Sequence, residues 1–376
     1  MVCWTKEIGL RTMDIETKIE LVKRKPTEEI VTDKDLREVF ETYSHPKHYI
    51  GYEISGMVHL GSGLCVGLKI KDLLKAGCKP IIWLADYHSW VNDKLGGDLE
   101  KIRKVAEGYF KHAFISLGLT EDQVQYPLAT KLYDSDYWKD VVKIMRDTTM
   151  KRMLRCLTIM GRKESDTISA GAALYPALQA ADIFLLDVQI AHAGMDQRKV
   201  HMLARELAPK FKKKFVALHT HLLPGLQGSG RMNPAGMKTG QDIDEKVESE
   251  MEVKMSKSKP DSAIFIHDSE QEIKRKLSKA FCPEKIVEAN PVIEYAEYLI
   301  LRDNKMKIER PAKFGGDLLI ANSQELTAVY TEGKLHPMDL KNAVANELIK
   351  VLKPVRDYFD KHKEYLEQVK EVEITR

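Results

Sequence analysis

A chain of 376 residues is long for one hydrophobic core and predicts two domains. Hydrophobic residues make up 43% and charged residues 31%, yet the formal net charge is only +3, so any nucleic-acid surface has to come from local clustering. The five cysteines are odd in number and form no CxxC pair, which argues against a disulfide framework or a zinc site; with no bilayer-length apolar run or signal-peptide core, the expectation is a cytoplasmic protein.

Residues 1–12 fit no clear pattern, and Met13 is a second candidate start. Ile15, Ile19, Leu21 and Val22 predict a short amphipathic helix that Pro26 ends. Thr32 with Asp35 predicts a capping box for a second helix, so residues 1–45 read as an N-terminal helical extension. The stretch YIGYEISGMVHLGSG, Tyr49 to Gly63, passes from a strand-like entry into closely spaced glycines and then into an amphipathic segment. A strand that turns through glycine into a helix brings backbone N–H groups close to a ligand and suits phosphate. His59 and Ser62 sit at that turn. PIIWLAD, Pro80 to Asp86, is a continuous apolar run, and strand, helix and strand in this order predict a parallel α/β sheet. Asp86 and His88 fall at its carboxyl end, where such sheets bind ligands, although Asp86 serves equally well as a turn cap.

Residues 98–117 and 135–162 read as long helices, the second carrying Lys151, Arg152, Arg155 and Arg162. In LYPALQAADIFLLD the residues Tyr175, Gln179 and Asp182 share one helix face, polar within an apolar segment. That trio is either a ligand site or a partly exposed helix edge. Asp187 to Lys210 reads as strand, turn and helix, with Gly194, Asp196 and Gln197 in the turn; Asp196 suits ribose hydroxyls or an N-cap. Residues 224–253, rich in Gly, Pro and charge, read as a connection or insertion rather than core. KMSKSK at Lys254–Lys259 is either an anion-seeking lid or an ordinary basic loop. Beyond Ala263–Ile266 the candidates are helices at 269–280, 293–302, 323–332 and 338–361, with Asp339 a possible cap of the last.

HLGS at His59–Ser62 and KMSKS at Lys254–Ser258, in this order, resemble the signature pair of class I aminoacyl-tRNA synthetases. With GYEISG, LADYHSW, YPALQAADI, GMDQRK, RPAKFGGD and LHPMDLKNAVA, the chain from about Met13 to Arg376 resembles the tyrosyl-tRNA synthetase family of archaeal and eukaryotic type. The resemblance implies an α/β fold, a Rossmann-type parallel sheet at 46–267 with a helical connective insertion at about 105–190 and a KMSKS loop at 254–258. An all-helical anticodon-binding domain at 268–376 and a homodimer would complete it. It also implies that L-tyrosine is activated by ATP, with Mg2+ accompanying the nucleotide and no protein metal site, and then passed to tRNA(Tyr).

By the same resemblance His59, Ser62, Lys254 and Lys257 serve catalysis, and Tyr49, Glu53, Tyr175, Gln179, Asp182 and Gln197 bind tyrosine. Gly56, Gly61, Gly194, Asp196 and Met255 join His59 and Lys257 around ATP. Arg155, Arg198 and Lys199 approach the tRNA acceptor end, and Phe314, His336, Pro337, Met338 and Asp339 approach its anticodon. A phenol both donates and accepts, so the Tyr49 hydroxyl and the Asp182 carboxylate together suit selection of tyrosine over phenylalanine. The chain departs from the family pattern at Ser62, where a second histidine is usual; serine has a shorter reach and no positive charge. A tryptophanyl enzyme is the nearest alternative, and a non-catalytic RNA-binding relative is an alternative from another class.

Overall fold

The computed structural model describes residues 13–160, 169–228, 254–255 and 260–373. Lys257, the rest of KMSKS after Met255, Arg162 and residues 229–253 lie outside the described residues.

Helix α1 (Ile15–Lys23) is capped by Asp14, and α2 (Asp33–Thr42) by Thr32, whose hydroxyl accepts from the Asp35 N–H as the capping box predicts. Between them lies a strand absent from the sequence reading, β1 (Thr27–Val31). The N-terminal extension is therefore not wholly helical. Strands β2 (Lys47–Glu53), β3 (Lys79–Ala85), β4 (Ile190–Gly194) and β5 (Val216–Thr220) run parallel, and β1 adds antiparallel to β5 in the order β1-β5-β4-β2-β3. Helix α3 (Val66–Lys75) connects β2 to β3. The chain steps outward from β2 to β3 on one side and from β4 to β5 on the other. The β2/β4 gap is thus a topological switch point, and its carboxyl end is where a crevice must open.

After β3, α4 (Asp86–Val91) leads into α5 (Leu99–Val105) and α6 (Lys111–Ser116), joined through a π-helical turn at Ala106–Phe110. The stretch expected as one helix over 135–162 is broken into α7 (Ser135–Arg146) and α8 (Met150–Cys156). Thr149 starts the second by accepting from the Arg152 N–H, so the chain re-caps rather than continues. Helices α9 (Tyr175–Leu186) and α10 (Arg198–Leu207) flank β4.

Successive β2 residues face opposite layers, as strand alternation requires. Tyr49 packs with Trp83, Tyr137 and Phe184, whereas Ile50 and Tyr52 share a cluster with Val344, Leu348 and Phe359 from the C-terminal region. That region comprises α11 (Glu270–Ser278), α12 (Pro291–Tyr295), α13 (Ser323–Thr331), α14 (Pro337–Lys361) and α15 (Lys363–Glu373). It is not all helical. A two-stranded antiparallel pair, β6 (Met306–Ile308) with β7 (Leu318–Ile320), interrupts it. A buried carboxylate ties this region to α3: Asp72 pairs with Arg302, and also lies 3.4 Å from Lys69 and 3.6 Å from Arg24.

Candidate active site

A cavity of about 310 Å³ opens at the carboxyl ends of β2 and β4. Its wall includes Tyr49, Glu53, His59, Gly61, Ser62, Tyr175, Gln179, Asp182, Gly194, Asp196, Gln197, Lys254 and Met255. These are all of the described residues expected for tyrosine, ATP and catalysis except Gly56. Gly56 lies off the wall, and its φ of 113° explains the glycine by backbone geometry.

At the mouth, the segment after the second motif returns to the first. The Leu60 N–H donates to the Ile264 carbonyl (2.9 Å) and the Ile266 N–H to the Val58 carbonyl (3.1 Å), bracketing His59. The N–H groups of Gly61 and Ser62, expected to face a phosphate, instead donate to His59 Nδ1 at 3.2 and 3.3 Å. Nδ1 is therefore an acceptor and the imidazole proton sits on Nε2, so an anion at this turn is met by a ring N–H. Gly61 allows this geometry, because a Cβ there would come within 3.3 Å of Nδ1. The Ser62 hydroxyl accepts from the His59 N–H at 3.4 Å. Across the mouth the Lys254 ammonium lies 2.6 Å from the Asp196 carboxylate. The Met255 N–H donates to the Leu223 carbonyl, which fixes the start of the second motif to the chain beyond β5. Asp196 folds back over Gly194, where a Cβ would stand 2.7 Å from its Oδ1. It does not cap α10, whose N-cap is Gln197 without a side-chain bond.

The deep end is organised around Asp182, which has no solvent exposure. Tyr175, Gln179 and Asp182 are all buried, so their shared face is not a helix edge. Tyr133 and Tyr137 donate their hydroxyls to Asp182 Oδ1 at 2.9 and 3.0 Å, and Trp83 Nε1 donates to Oδ2 at 2.9 Å. Burial pushes the Asp182 carboxyl up to about 8 against the pull of these donors. His88 stands 3.7 Å from Oδ2, and burial holds its imidazole neutral by lowering its pKa to about 3. Glu53 accepts from Asn92 Nδ2 (2.6 Å) and the Tyr175 hydroxyl (3.4 Å). Gln197 Nε2 donates to the Ile159 carbonyl.

Trp83, Tyr133, Tyr137 and Asn92 were not legible as site residues. The four-residue spacing of Tyr133 and Tyr137 hints at a shared face, but nothing local points to Asp182, 45 residues on. Asp86 proves structural: it accepts from the Thr130 N–H and hydroxyl and from Arg103 Nε.

The expected nucleic-acid residues fall in two places. Arg155 is exposed on α8 and Lys199 is half-buried on α10. Arg198 Nε donates to both oxygens of Glu29 (3.1 and 2.9 Å). Against the raising effect of burial, that contact and His219 hold Glu29 down at about 2. Phe314, His336, Pro337 and Asp339 line a second, separate concavity of about 400 Å³, with Arg310 beside them. Met338 is outside that lining but 39% exposed. Asp339 is not the cap of α14. His336 is, its Nδ1 accepting from the Met338 N–H.

The arrangement has a closed end that matches a hydroxyl and a mouth that offers a ring N–H, an ammonium and a carboxylate. It suits a polar-tipped ring joined to a polyanion and a ribose. The family model for tRNA synthetases class I (W and Y) matches residues 42–235 and 246–353. A tyrosine–tRNA ligase from Thermococcus gammatolerans is 52% identical over 381 aligned positions, covering 97% of this chain and 100% of that protein. A tyrosyl-tRNA synthetase from Pyrococcus horikoshii, solved in complex with L-tyrosine, is 48% identical with a TM-score of 0.88, covering 96% of this chain and all of that one. A tryptophanyl-tRNA synthetase from Aeropyrum pernix has a TM-score of 0.64 at 18% identity, a likeness of fold alone. The chain therefore belongs to the class I tRNA synthetases, within the family of archaeal tyrosine–tRNA ligases.

Proposed function

We propose that the cavity binds L-tyrosine at its closed end and ATP at its mouth, and that each residue has the role set out below. The chain is a tyrosine–tRNA ligase, an enzyme of protein synthesis that uses ATP as substrate. The tyrosine carboxylate attacks the α-phosphorus, the bond to the bridging oxygen breaks, and pyrophosphate leaves. A hydroxyl of the terminal tRNA ribose then attacks the carbonyl carbon and displaces AMP. The carboxylate is already a nucleophile, so the protein contributes position and charge.

Asp182 takes the phenol proton in a hydrogen bond and Tyr49 donates to the phenol oxygen. Tyr175, Gln179 and Gln197 surround the amino group, with Glu53 behind Tyr175. His59 Nε2–H and Lys254 meet the phosphates, joined by Lys257; Gly194 and Asp196 hold the ribose. ATP enters with Mg2+, the metal riding on its phosphates. The reading carries the cytoplasm as the place of work, where tRNA is charged.

Arg155 and Lys199 serve the acceptor end, with Arg198 largely engaged by Glu29. The concavity at Phe314, His336 and Asp339 takes the anticodon, by stacking and by base-edge hydrogen bonds. The reading also includes a homodimer. Its support is an exposed apolar strip in which Trp90 and Trp138 flank Tyr87 and Val142 lies one turn beyond Trp138. Sedimentation equilibrium tests that point.

The observation that carries the reading is the shared wall: Tyr49 and Asp182 at one end of a single cavity, and His59, Asp196 and Lys254 at the other. Amino-acid-dependent ATP–pyrophosphate exchange tests it. Exchange with tyrosine is expected; exchange with tryptophan and not tyrosine would overturn the specificity, and none with any amino acid would overturn the activity.

A further inference from the structure

Asp182 faces a problem that its burial creates. An isolated carboxylate with no solvent exposure is costly to ionise, and burial alone drives it toward the neutral acid. A neutral acid would be a poor acceptor for a phenol. The surrounding residues offset this in part with three donors from two parts of the chain: Trp83 in β3, and Tyr133 and Tyr137, four residues apart at the start of α7. An ionised carboxylate offers about four acceptor positions. Three are filled, and Asp182 lies on the cavity wall.

We infer that Trp83, Tyr133 and Tyr137 are positioning residues for substrate selection: their donation eases the ionisation of Asp182 and turns it so that its remaining acceptor position faces the cavity, where an amino acid bearing a ring hydroxyl can fill it. The inference rests on the reading of the cavity as a tyrosine site and adds residues to it.

Packing alone does not account for the arrangement. The Tyr133 and Tyr137 rings stack at 3.8 Å and 7°, which two phenylalanines would do as well. Yet both hydroxyls converge on the same oxygen of Asp182. Trp83 is fully buried, and its one polar atom ends on the other oxygen. The other groups around the carboxylate do not supply the missing donation. His88 is neutral and 3.7 Å away, Asp86 is held by Thr130 and Arg103, and Tyr49 and Tyr175 are buried phenols kept protonated.

The discrimination this produces is asymmetric. Tyrosine completes the carboxylate's shell. Phenylalanine leaves one acceptor position facing a ring edge, a buried polar oxygen without a partner. Weakening the cage should therefore reduce the gain from tyrosine while leaving the poor use of phenylalanine nearly as it was.

The test compares Y133F and Y137F with the wild type in ATP–pyrophosphate exchange, using tyrosine and phenylalanine as separate substrates, between about pH 5.5 and 9. Each variant keeps its ring. Tyrosine kcat/KM is expected to fall by roughly tenfold near neutral pH, through the tyrosine KM, with the ATP KM unchanged. The acid limb of the tyrosine profile is expected to move to higher pH, because a carboxylate that loses a donor is harder to ionise. Phenylalanine kcat/KM should stay the same, so the selectivity ratio falls. A parallel loss for both amino acids, or an unmoved acid limb, would overturn the inference. Thermal unfolding of each variant accompanies the kinetics, and the less buried Tyr133 decides the matter if Y137F does not fold. Wild-type enzyme that fails to use tyrosine would overturn the underlying reading instead, before any variant is made.

Discussion

Lys254 and Asp196 stand 2.6 Å apart across the mouth of the cavity, so the ammonium proposed for the phosphates is paired with the carboxylate proposed for the ribose. ATP must exchange that pair for two new ones. With side chains 30% and 14% exposed, the pair is partly screened and worth on the order of 1 kcal/mol or less, so the exchange costs little. Replacing Lys254→Gln should slow adenylate formation on the order of 10²–10³-fold, since a donor at the developing phosphate charge is lost. The tyrosine KM should stay within about twofold, because Lys254 sits at the other end of the cavity. Rapid-quench measurement of the first turnover reads both, and an equal rise in tyrosine KM would show that Lys254 shapes the whole cavity.

The His59 ring does two separable jobs. Nδ1 accepts the N–H groups of Gly61 and Ser62, and Nε2 carries the proton toward the cavity. Asparagine can place an amide oxygen near the Nδ1 position, and glutamine can place an amide nitrogen near Nε2. His59→Asn should therefore hold the turn, with little change in melting temperature, while lowering the adenylation rate on the order of 10²-fold. His59→Gln should retain more rate and lose roughly 1 kcal/mol of stability, as helix-start donors go unsatisfied. The opposite ordering in paired kinetic and unfolding measurements would rule out this division. Ser62→Ala should cost less than about tenfold, since among the described residues its hydroxyl makes the long 3.4 Å contact from the His59 N–H.

Much of this site was legible because helix periodicity and short motifs are local. Tyr175, Gln179 and Asp182 recur at spacings of four and three, and burial then settled their face as interior. The glycines around His59 marked a turn, but only the folded geometry reveals that its N–H groups are used by the imidazole. β1 was missed for a physical reason. TEEIV shows no clean alternation, because this edge strand is half-exposed along its length and draws its stability from pairing with β5, nearly two hundred positions later. The three-residue strands β6 and β7 are too short to carry a periodic signal. The cage around Asp182 was illegible in principle, since its donors converge from segments whose order in the chain says nothing of their meeting.

His221, at the cavity edge, makes stability depend on pH. Its ring lies 2.8 Å from Glu28 of β1 and 2.7 Å from Glu294 of α12, and stacks on Tyr298. Burial pulls its pKa down, but the two carboxylates outweigh that and raise it to about 10. In the unfolded chain it titrates near 6.5. The folded value is the higher one, so the stabilisation is fully present below about pH 6.5 and is lost as pH rises from there through 10. The loss should amount to at most a few kcal/mol. Urea midpoints for the wild type should fall across that window, and His221→Asn should flatten the dependence. Equal slopes for the two proteins would mean that His221 is not the group responsible.

Asp339 provides the sharpest separation between structure and recognition. As an N-cap its removal would destabilise α14, and every function of the C-terminal region would suffer together. The cap is His336, which accepts from the Met338 N–H at 3.1 Å, and Asp339 stands in the first turn on the wall of the concavity that also holds Phe314. A carboxylate there can accept from the amino and imino groups of a guanine, and one such edge contact is worth about 1–3 kcal/mol of discrimination. Asp339→Ala should therefore raise the tRNA KM for charging by roughly ten- to a hundredfold. ATP–pyrophosphate exchange without tRNA should be unchanged, because Asp339 is not among the residues that line the cavity. Melting temperature should move little, since a first-turn acidic residue contributes only about 0.3–1 kcal/mol through the helix dipole. Charging and exchange that fall by the same factor would place Asp339 among the residues that hold the fold, and the anticodon assignment would then rest on Phe314 and His336 alone.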